Sequence, residues 1–189
     1  MRQNKIIIIT APSGAGKTTI VQYLLQQYPE QLAFSVSATT RQPRANETEG
    51  KDYYFLTKEI FQQKIQDDAF VEWEMVYEGK YYGTLQSELE RIWKTGKTPV
   101  LDIDVKGALH IQRRFPESSF SLFIQPPSVK ELQKRLESRG TETRESLEAR
   151  VNKAAYELSF KDQFNYTIVN NHLEEACRDA ERIITAIIA

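Results

Sequence analysis

Few residues of this chain are suited to disulfides or to a preformed metal centre. The 189 residues include one cysteine, Cys177, and two histidines, His110 and His172. A single cysteine excludes an intrachain disulfide and is typical of a reducing compartment, and two histidines form no cluster with the spacing of metal ligands. The chain also lacks an apolar run long enough for a signal peptide or a membrane-spanning helix, so we expect a cytoplasmic protein.

The charge balance narrows the possible partners. The 25 lysines and arginines nearly cancel the 26 aspartates and glutamates, which leaves a formal net charge of −1 at pH 7. This balance gives no support for a nucleic acid or a membrane surface as partner, so any anionic ligand must be held by local groups. The length suits one compact domain with room for small inserted lobes.

The most informative stretch runs from Lys5 to Thr19 and reads KIIIITAPSGAGKTT. Its four consecutive isoleucines predict a strand buried on both faces, as in a parallel sheet covered by helices. The loop that follows has nearly all of the Gly-x-x-x-x-Gly-Lys-Ser/Thr pattern, in which backbone N–H groups surround phosphate oxygens, the lysine neutralises charge and the hydroxyl binds Mg²⁺. We therefore predict a phosphate-binding loop with Thr18 as a magnesium ligand. The predicted loop residues are Ala11, Pro12, Ser13, Gly14, Ala15, Gly16, Lys17, Thr18 and Thr19.

This loop departs from the pattern at one position, where Ala11 replaces the first glycine. We expect the alanine to be tolerated if residue 11 keeps a negative φ, because only a positive φ there would penalise a Cβ atom. An ordinary tight turn before a helix is the alternative interpretation. Gly14, Gly16, Lys17 and Thr18 in register after a strand favour phosphate binding.

A polar segment with paired arginines follows, reading TTRQPRANETEGKDYYF from Thr39 to Phe55. Segments of this composition are ordinarily solvated surface loops. Arg41 and Arg44, however, suit a terminal phosphate, because each guanidinium can donate two parallel charge-assisted hydrogen bonds to its oxygens. Tyr53 and Tyr54 follow, and a tyrosine hydroxyl is a candidate for a further donor.

The sequence resembles guanylate kinase in this segment and beyond it. Six motifs follow the order of that family: the phosphate-binding loop, Thr39-Thr40-Arg41 with Arg44, Glu47, Gly50, Tyr53 and Phe55-Leu56, then Val71-Glu72-Trp73, Tyr81-Tyr82-Gly83-Thr84, Leu101-Asp102-Ile103-Asp104, and residues 135–143. The resemblance implies the reaction ATP + GMP ⇌ ADP + GDP, with Mg²⁺ as cofactor and ATP and GMP as substrates. It leaves the use of dGMP and the oligomeric state open.

Glu72 lies between Val71 and Trp73 in an alternating run. A single carboxylate in such a strand is ordinarily exposed to solvent, but the resemblance implies that Glu72 reads the base. A guanine edge offers adjacent N1–H and N2–H₂ donors that one carboxylate can accept, whereas adenine would leave the acid unpaired. By resemblance, the predicted GMP-binding residues are Ser37, Arg41, Arg44, Tyr53, Glu72, Tyr82, Thr84, Asp102 and Asp104.

Asp102 and Asp104 end an apolar run that predicts a strand. An acid at the carboxyl end of a strand beside a phosphate-binding loop commonly orients Mg²⁺ or its waters. The alternative for Asp104 is to cap the helix predicted from Val105 to Arg114, and both roles are compatible. The resemblance assigns the two acids to the acceptor nucleotide and the magnesium waters without dividing these roles between them.

Several arginines lie in the predicted helical hairpin near residue 140. Such arginines are usually surface charges, but guanidinium groups also stabilise the charge that spreads over a transferred phosphoryl group. The resemblance places Arg139 and Arg150 in a closing lid, with Arg135 a weaker member, and places Asn170 near the adenine of ATP. Arg135 and Asn170 thus join the loop as predicted ATP-binding residues. The predicted catalytic residues are Lys17, Arg41, Arg139 and Arg150.

The alternation of strands and helices predicts one α/β domain with a parallel P-loop sheet flanked by helices. We expect a core of residues 1–36, 87–127 and 157–189, a GMP-binding lobe of residues 37–86 with a small mixed or antiparallel sheet, and a helical lid of residues 128–156. Within these units, Phe34 to Ser37 predicts a short strand, and Thr57 to Asp68 predicts a helix with Ile60, Phe61 and Ile65 facing inward.

Two other functions are compatible with parts of the pattern. The guanylate kinase fold also occurs in protein-interaction modules that have lost catalysis, but those often lack a working phosphate-binding loop, which is intact here. A kinase for another monophosphate, such as AMP or UMP, is the second alternative, and the identity of the base reader distinguishes it.

Overall fold

The structure is a computed structural model that describes residues 4–138 and 144–189. In chain order its helices and strands are β1 (Ile6–Thr10), α1 (Lys17–Gln27), β2 (Leu32–Phe34), β3 (Ser37–Thr39), β4 (Tyr53–Phe55), α2 (Lys58–Gln66), β5 (Phe70–Tyr77), β6 (Lys80–Leu85), α3 (Gln86–Lys94), β7 (Thr98–Asp102), α4 (Val105–Arg114), β8 (Ser119–Gln125), α5 (Val129–Glu137), α6 (Arg144–Leu158), a 3₁₀ turn (Lys161–Gln163), β9 (Tyr166–Val169) and α7 (Leu173–Ile188). No helix in the described ranges is long and apolar enough to cross a membrane.

The first sheet is parallel and has the strand order β2-β7-β1-β8-β9. Every residue of β1, at its centre, is buried. Ile7 and Ile9 pack in a cluster with residues of α1 and α7, while Ile6 and Ile8 pack in a second cluster with residues of α3 and α4. The predicted strand, buried on both faces within a parallel sheet, is therefore confirmed, because helices cover both faces of the sheet.

A second, mixed sheet has the order β4-β3-β6-β5. The predicted strand from Phe34 to Ser37 is wrong, because the chain changes sheets within it. Phe34 ends β2 in the parallel sheet, and Ser37 begins β3 in the mixed sheet. The turn between them is held by the buried carboxylate of Glu88, whose Oε1 accepts a hydrogen bond from the Val36 backbone N–H at 2.9 Å.

Helix α2 covers one face of the mixed sheet. Phe61 is fully buried and stacks on Phe70, with ring centroids 4.4 Å apart. The prediction that Ile60 faces inward is wrong, since 47% of its surface is exposed. Phe61 and Ile65, four residues apart, define the buried face, and Ile60 lies beside that face rather than on it.

The order of the parallel strands determines where polar loops meet. Strands β1 and β7 are neighbours, and Ile9 lies opposite Asp102. Because parallel strands end at the same edge of a sheet, the loop after β1 and the acids after β7 lie side by side. This edge faces the mixed sheet and forms the wall of a cleft.

Candidate nucleotide-binding site

A cleft of about 390 Å³ lies between the edge of the parallel sheet, the mixed sheet and helix α6. It brings together most of the residues that the sequence singled out. Those lining it are Ala11, Pro12, Ser13, Gly14, Gly16, Lys17, Thr18, Thr19, Ser37, Arg41, Arg44, Tyr53, Glu72, Tyr82, Asp102, Asp104 and Arg150.

The loop between β1 and α1 has the backbone that an anion site needs. Gly14 and Gly16 have φ values of 90° and 94°, in the left-handed region that favours glycine. Gly16 also caps α1, and a Cβ atom at this position would overlap the side-chain nitrogen of Asn170. The unpaired N–H groups of a helix N-terminus carry partial positive charge, so this loop and helix form a surface suited to phosphate.

Ala11 fits its place in the loop without strain. Among the residues described, Asp68 is the one non-glycine residue with a positive φ, so the expectation of a negative φ at Ala11 is confirmed. Ala11 is buried and belongs to the same hydrophobic cluster as Ile9 and Ile20. Its methyl group therefore contributes to the core that holds the loop.

Lys17 is held at the end of β7. Its Nζ lies 2.5 Å from Asp102 Oδ1 and donates a hydrogen bond of 3.0 Å to the backbone carbonyl of Ile103. Lys17 is the first residue of α1 and lines the cleft, so its contacts with β7 connect the phosphate-binding loop to the acids. A single cation here can neutralise phosphate charge on one side and orient a carboxylate on the other.

Arg41 is held by the carboxylate of Glu47, which was not among the predicted GMP-binding residues. Its guanidinium donates two parallel hydrogen bonds of 2.8 and 2.9 Å to Glu47, which raise the pKa of Arg41 and lower that of Glu47. Glu47 Oε2 also accepts a 2.8 Å hydrogen bond from the backbone N–H of Arg44. One carboxylate therefore positions both the side chain of Arg41 and the backbone at Arg44. The spacing of Glu47, three residues after Arg44, was a signal for this contact.

Two tyrosines complete this end of the cleft. Tyr53 packs edge to face with Tyr82 at a centroid distance of 6.1 Å, and the Arg41 guanidinium lies 5.3 Å from the centre of the Tyr53 ring. Burial, followed by the negative charge of Asp102, raises the pKa of Tyr53 to about 12. Its hydroxyl therefore remains protonated at neutral pH and can donate a hydrogen bond to an anion.

The carboxylate of Glu72 is buried in the mixed sheet, with 7% of the residue exposed. Its Oε1 accepts a 2.6 Å hydrogen bond from the hydroxyl of Thr84, which lies opposite it on β6. Burial, with a smaller contribution from the charges of Asp104 and Glu74, raises the pKa of Glu72 to about 7. A buried carboxylate with so few partners is one that a ligand with several donors can satisfy.

Gly107 makes room for this carboxylate and was missed by the sequence reasoning. A Cβ atom at Gly107 would lie 2.7 Å from Glu72 Oε2, so an alanine here would displace the Glu72 carboxylate from its position against the first turn of α4. A glycine inside a helical pattern often marks such a close approach. The capping role expected for Asp104 is confirmed, because its Oδ1 accepts the backbone N–H of Gly107 at 3.0 Å.

The oxygen donors of the cleft fit a magnesium ion. Thr18, Asp102 and Asp104 all line it, and hydroxyl and carboxylate oxygens are the ligands that Mg²⁺ prefers. In the described part of the chain, no group of three or more His, Cys, Asp or Glu side chains could hold a metal alone. This donor set suits an ion that keeps several waters and shares phosphate oxygens of a substrate.

Helix α6 adds charged groups on the opposite side of the loop. Arg150 donates a 3.3 Å hydrogen bond to the Ser13 hydroxyl. Lys153 and Glu157 also line the cleft, and Lys153 Nζ lies 3.7 Å from Glu157 Oε1. Neither was predicted, although the spacing of three residues from Arg150 to Lys153 indicated a shared helix face. Arg139, a predicted catalytic residue, lies outside the described residues.

Four predicted residues do not line the cleft. Ala15 is buried beneath the loop, and Thr84 contacts Glu72 from behind. The buried side chain of Asn170 donates a 2.8 Å hydrogen bond to the Ala15 carbonyl, and the Asn170 carbonyl accepts one of 3.1 Å from Arg135. Asn170 and Arg135 thus support the loop from below, and their contact with the adenine stays a prediction.

Comparison with known proteins agrees with the geometry. A family model described as "Guanylate kinase" matches residues 3–187. Guanylate kinase of Bacteroides fragilis is 47% identical over 95% of this chain and 88% of its own length, and that of Chlorobium chlorochromatii is 48% identical over 97% and 96%. The crystal structure of guanylate kinase from Anaplasma phagocytophilum matches with a TM-score of 0.77 and 31% identity, over 97% of this chain and 86% of that one. The chain therefore belongs to the guanylate kinase family.

Proposed function

We propose that this chain transfers the terminal phosphoryl group of ATP to GMP, in the reaction ATP + GMP ⇌ ADP + GDP. The observation that carries the proposal is a single cleft that joins a phosphate-binding loop to a buried carboxylate, with arginines and tyrosines between them. A phosphate-binding loop alone would also suit an ATPase or a GTPase. The carboxylate, arginines and tyrosines on the other side of the cleft suit a second nucleotide, whose phosphate would lie next to the terminal phosphate of the first.

The donor phosphates occupy the loop side of the cleft. The backbone N–H groups of residues 14–18 surround them, and Lys17 supplies the charge. When bound, Mg²⁺ would supply positive charge that neutralises the charge developing on the phosphate oxygens. Thr18 would hold it directly, and Asp102 or Asp104 would hold its waters.

The acceptor nucleotide occupies the side of the mixed sheet. Its phosphate meets Arg41, Arg44, Tyr53 and Tyr82, which supply charge and hydrogen-bond donors. Glu72 reads the guanine edge by accepting hydrogen bonds from N1–H and N2–H₂, with Ser37 and Thr84 beside it. Adenine offers no such pair of donors, so AMP would leave a buried carboxylate unpaired, which costs about 1 to 3 kcal/mol or more.

Positioning and charge neutralisation account for the chemistry. The attacking oxygen belongs to the GMP phosphate and is already anionic, so no side chain has to act as nucleophile or general base. Arg41 holds the attacking group through the geometry that Glu47 fixes. Lys17 and Arg150 contact the other side of the transferred group, and we assign Arg139 to the same role.

We divide the chain into three units according to these proposed roles. Residues 1–36, 87–127 and 157–189 form the core, residues 37–86 the GMP-binding lobe and residues 128–156 the lid. The two sheets support the first boundary, because the chain passes from one to the other between Phe34 and Ser37.

A substrate panel tests the function. ADP formation is measured by a coupled assay with ATP and either GMP, AMP, UMP or CMP, each with and without Mg²⁺. We expect turnover that depends on GMP and Mg²⁺, and ADP and GDP in equal amounts. ADP formation without any acceptor, or no turnover with any acceptor, would contradict the proposal.

A further inference from the structure

Glu74 is a charged residue of the cleft to which the proposed reaction assigns no role. It lies two residues after Glu72 on β5, and Glu72, Glu74 and Val76 all line the cleft, as residues on one face of a strand do. The Glu74 side chain retains 20% of its exposure. A carboxylate beside a phosphate site repels an anionic substrate, and a hydrogen bond that it accepts from the substrate would offset this cost.

The register of β5 and β6 places Glu74 beside three residues that already have a proposed role. Glu72 lies opposite Thr84, and Glu74 lies opposite Tyr82. Glu72 and Thr84 form the corner assigned to the base, where a 2.6 Å hydrogen bond joins them. Tyr82 forms the corner assigned to the phosphate, where it packs on Tyr53.

Glu74 occupies the remaining corner, beside both the base and the phosphate positions. Alternate residues of a strand are about 6.6 Å apart, roughly the length of a ribose with its linking bonds. In a nucleoside monophosphate the ribose lies between the base and the phosphate. The group that meets Glu74 is therefore the sugar, and its hydroxyl groups are donors that a carboxylate accepts.

The Glu74 carboxylate is held in place by helix α4. His110 Nδ1 lies 3.2 Å from Glu74 Oε1. Gly107 lies one turn earlier on α4 and allows this helix to approach β5 closely. This approach brings Gly107 against Glu72 and His110 against Glu74. A carboxylate fixed through one oxygen by a histidine presents the other oxygen in a defined direction.

We propose that Glu74, positioned by His110, accepts a hydrogen bond from the 2′- or 3′-hydroxyl of the acceptor nucleotide's ribose and so selects acceptors that carry this hydroxyl. This inference rests on the proposed function, since it requires GMP in the cleft. A charge-assisted hydrogen bond of this kind changes kcat/KM by about tenfold to a hundredfold.

The test compares three acceptors, namely GMP, dGMP and 3′-deoxy-GMP, through kcat/KM for the wild type and five variants. Glu74→Ala removes the acceptor, Glu74→Gln keeps a weaker neutral one, and His110→Ala removes the positioning contact. Glu78→Gln is the matched control, since Glu78 is an exposed carboxylate at the turn of the same hairpin. Glu72→Gln is measured in parallel as a variant of the base reader.

We expect the wild type to use at least one deoxy analogue about tenfold less well than GMP. Glu74→Ala should bring that analogue within about threefold of GMP, with Glu74→Gln and His110→Ala intermediate and Glu78→Gln unchanged. Glu72→Gln should lower kcat/KM for GMP and for the deoxy analogues alike, which leaves their ratio intact.

Equal use of all three acceptors by the wild type would overturn the inference. An unchanged ratio in Glu74→Ala would overturn it as well, because the residue would then serve the fold alone. Neither result touches the proposed function, which the substrate panel tests separately through turnover that depends on GMP. The 2′-deoxy and 3′-deoxy analogues separate the two hydroxyl groups as the hydrogen-bond donor.

Discussion

Replacing Glu72 with glutamine is expected to stabilise the protein above neutral pH while it impairs GMP use. Burial in the mixed sheet raises the pKa of this carboxyl to about 7, and the charges of Asp104 and Glu74 act in the same direction. The hydrogen bond from Thr84 opposes the shift but does not cancel it. A neutral side chain of the same shape avoids the cost of keeping the charge buried.

The size of the expected stabilisation follows from the raised pKa of Glu72. A carboxyl pKa raised from 4.5 to about 7 corresponds to about 3 kcal/mol in the free energy of unfolding. The stability that the protonated Glu72 contributes is fully present below pH 4.5 and is lost as the pH rises through 7. The advantage of Glu72→Gln over the wild type should therefore be small near pH 5 and approach about 3 kcal/mol at pH 8.

Urea unfolding at pH 5 and pH 8, followed by circular dichroism, measures this difference. Glu78→Gln is the control, because it removes a carboxylate that is already exposed at a turn. We expect the control to differ from the wild type by less than about 0.5 kcal/mol at both values of pH. A Glu72→Gln variant that is no more stable than the wild type at pH 8, or whose advantage does not depend on pH, would refute the reasoning.

Two glycine and alanine exchanges test the geometry of the cleft. Gly107→Ala should raise the KM for GMP about tenfold without changing the KM for ATP, because the new Cβ atom would lie 2.7 Å from Glu72 Oε2. Steady-state kinetics measure both KM values. Equal changes in the two would argue against a local displacement of the Glu72 carboxylate. Ala11→Gly should leave ATP affinity within about twofold by calorimetry and lower the free energy of unfolding by about 0.5 to 1 kcal/mol, since Ala11 is buried without a positive φ. A large change in ATP affinity would show that the loop backbone is strained at Ala11.

The local parts of the site were predictable from the sequence. The strand, loop and helix from Ile6 to Gln27 are adjacent in the chain, and their chemistry is carried by residues in fixed register. The contact of Lys17 with Asp102 follows from a general rule, because the ends of neighbouring parallel strands meet at one edge. For the same reason, two distant motifs could be expected to share a cleft.

The remaining contacts depend on tertiary register that no local pattern encodes. Gly107 and His110 lie on α4, far along the chain from β5, and their contacts with Glu72 and Glu74 require the angle at which the helix crosses the sheet. The change of sheet after Phe34 was missed for a similar reason. It depends on the buried carboxylate of Glu88, a residue of α3 that is 52 positions from its partner.

The role of helix α6 could not be predicted from its sequence for a different reason. Arginines on a helical hairpin are ordinarily surface charges, and the contact of Arg150 with Ser13 connects this helix to the phosphate-binding loop. Lys153 and Glu157 share the face of Arg150 and line the cleft with it. A periodicity of three or four residues could have identified that face but not the surface against which it packs.

In the proposed reaction, Glu72 makes this chain a kinase of GMP rather than of another monophosphate. The most direct measurement is kcat/KM for GMP and for AMP, with the wild type and with Glu72→Gln. We predict a wild type that strongly prefers GMP and a variant in which kcat/KM for GMP falls about a hundredfold while that for AMP does not fall. An unchanged preference for GMP in the variant would contradict the claim and would place the base reader elsewhere in the cleft.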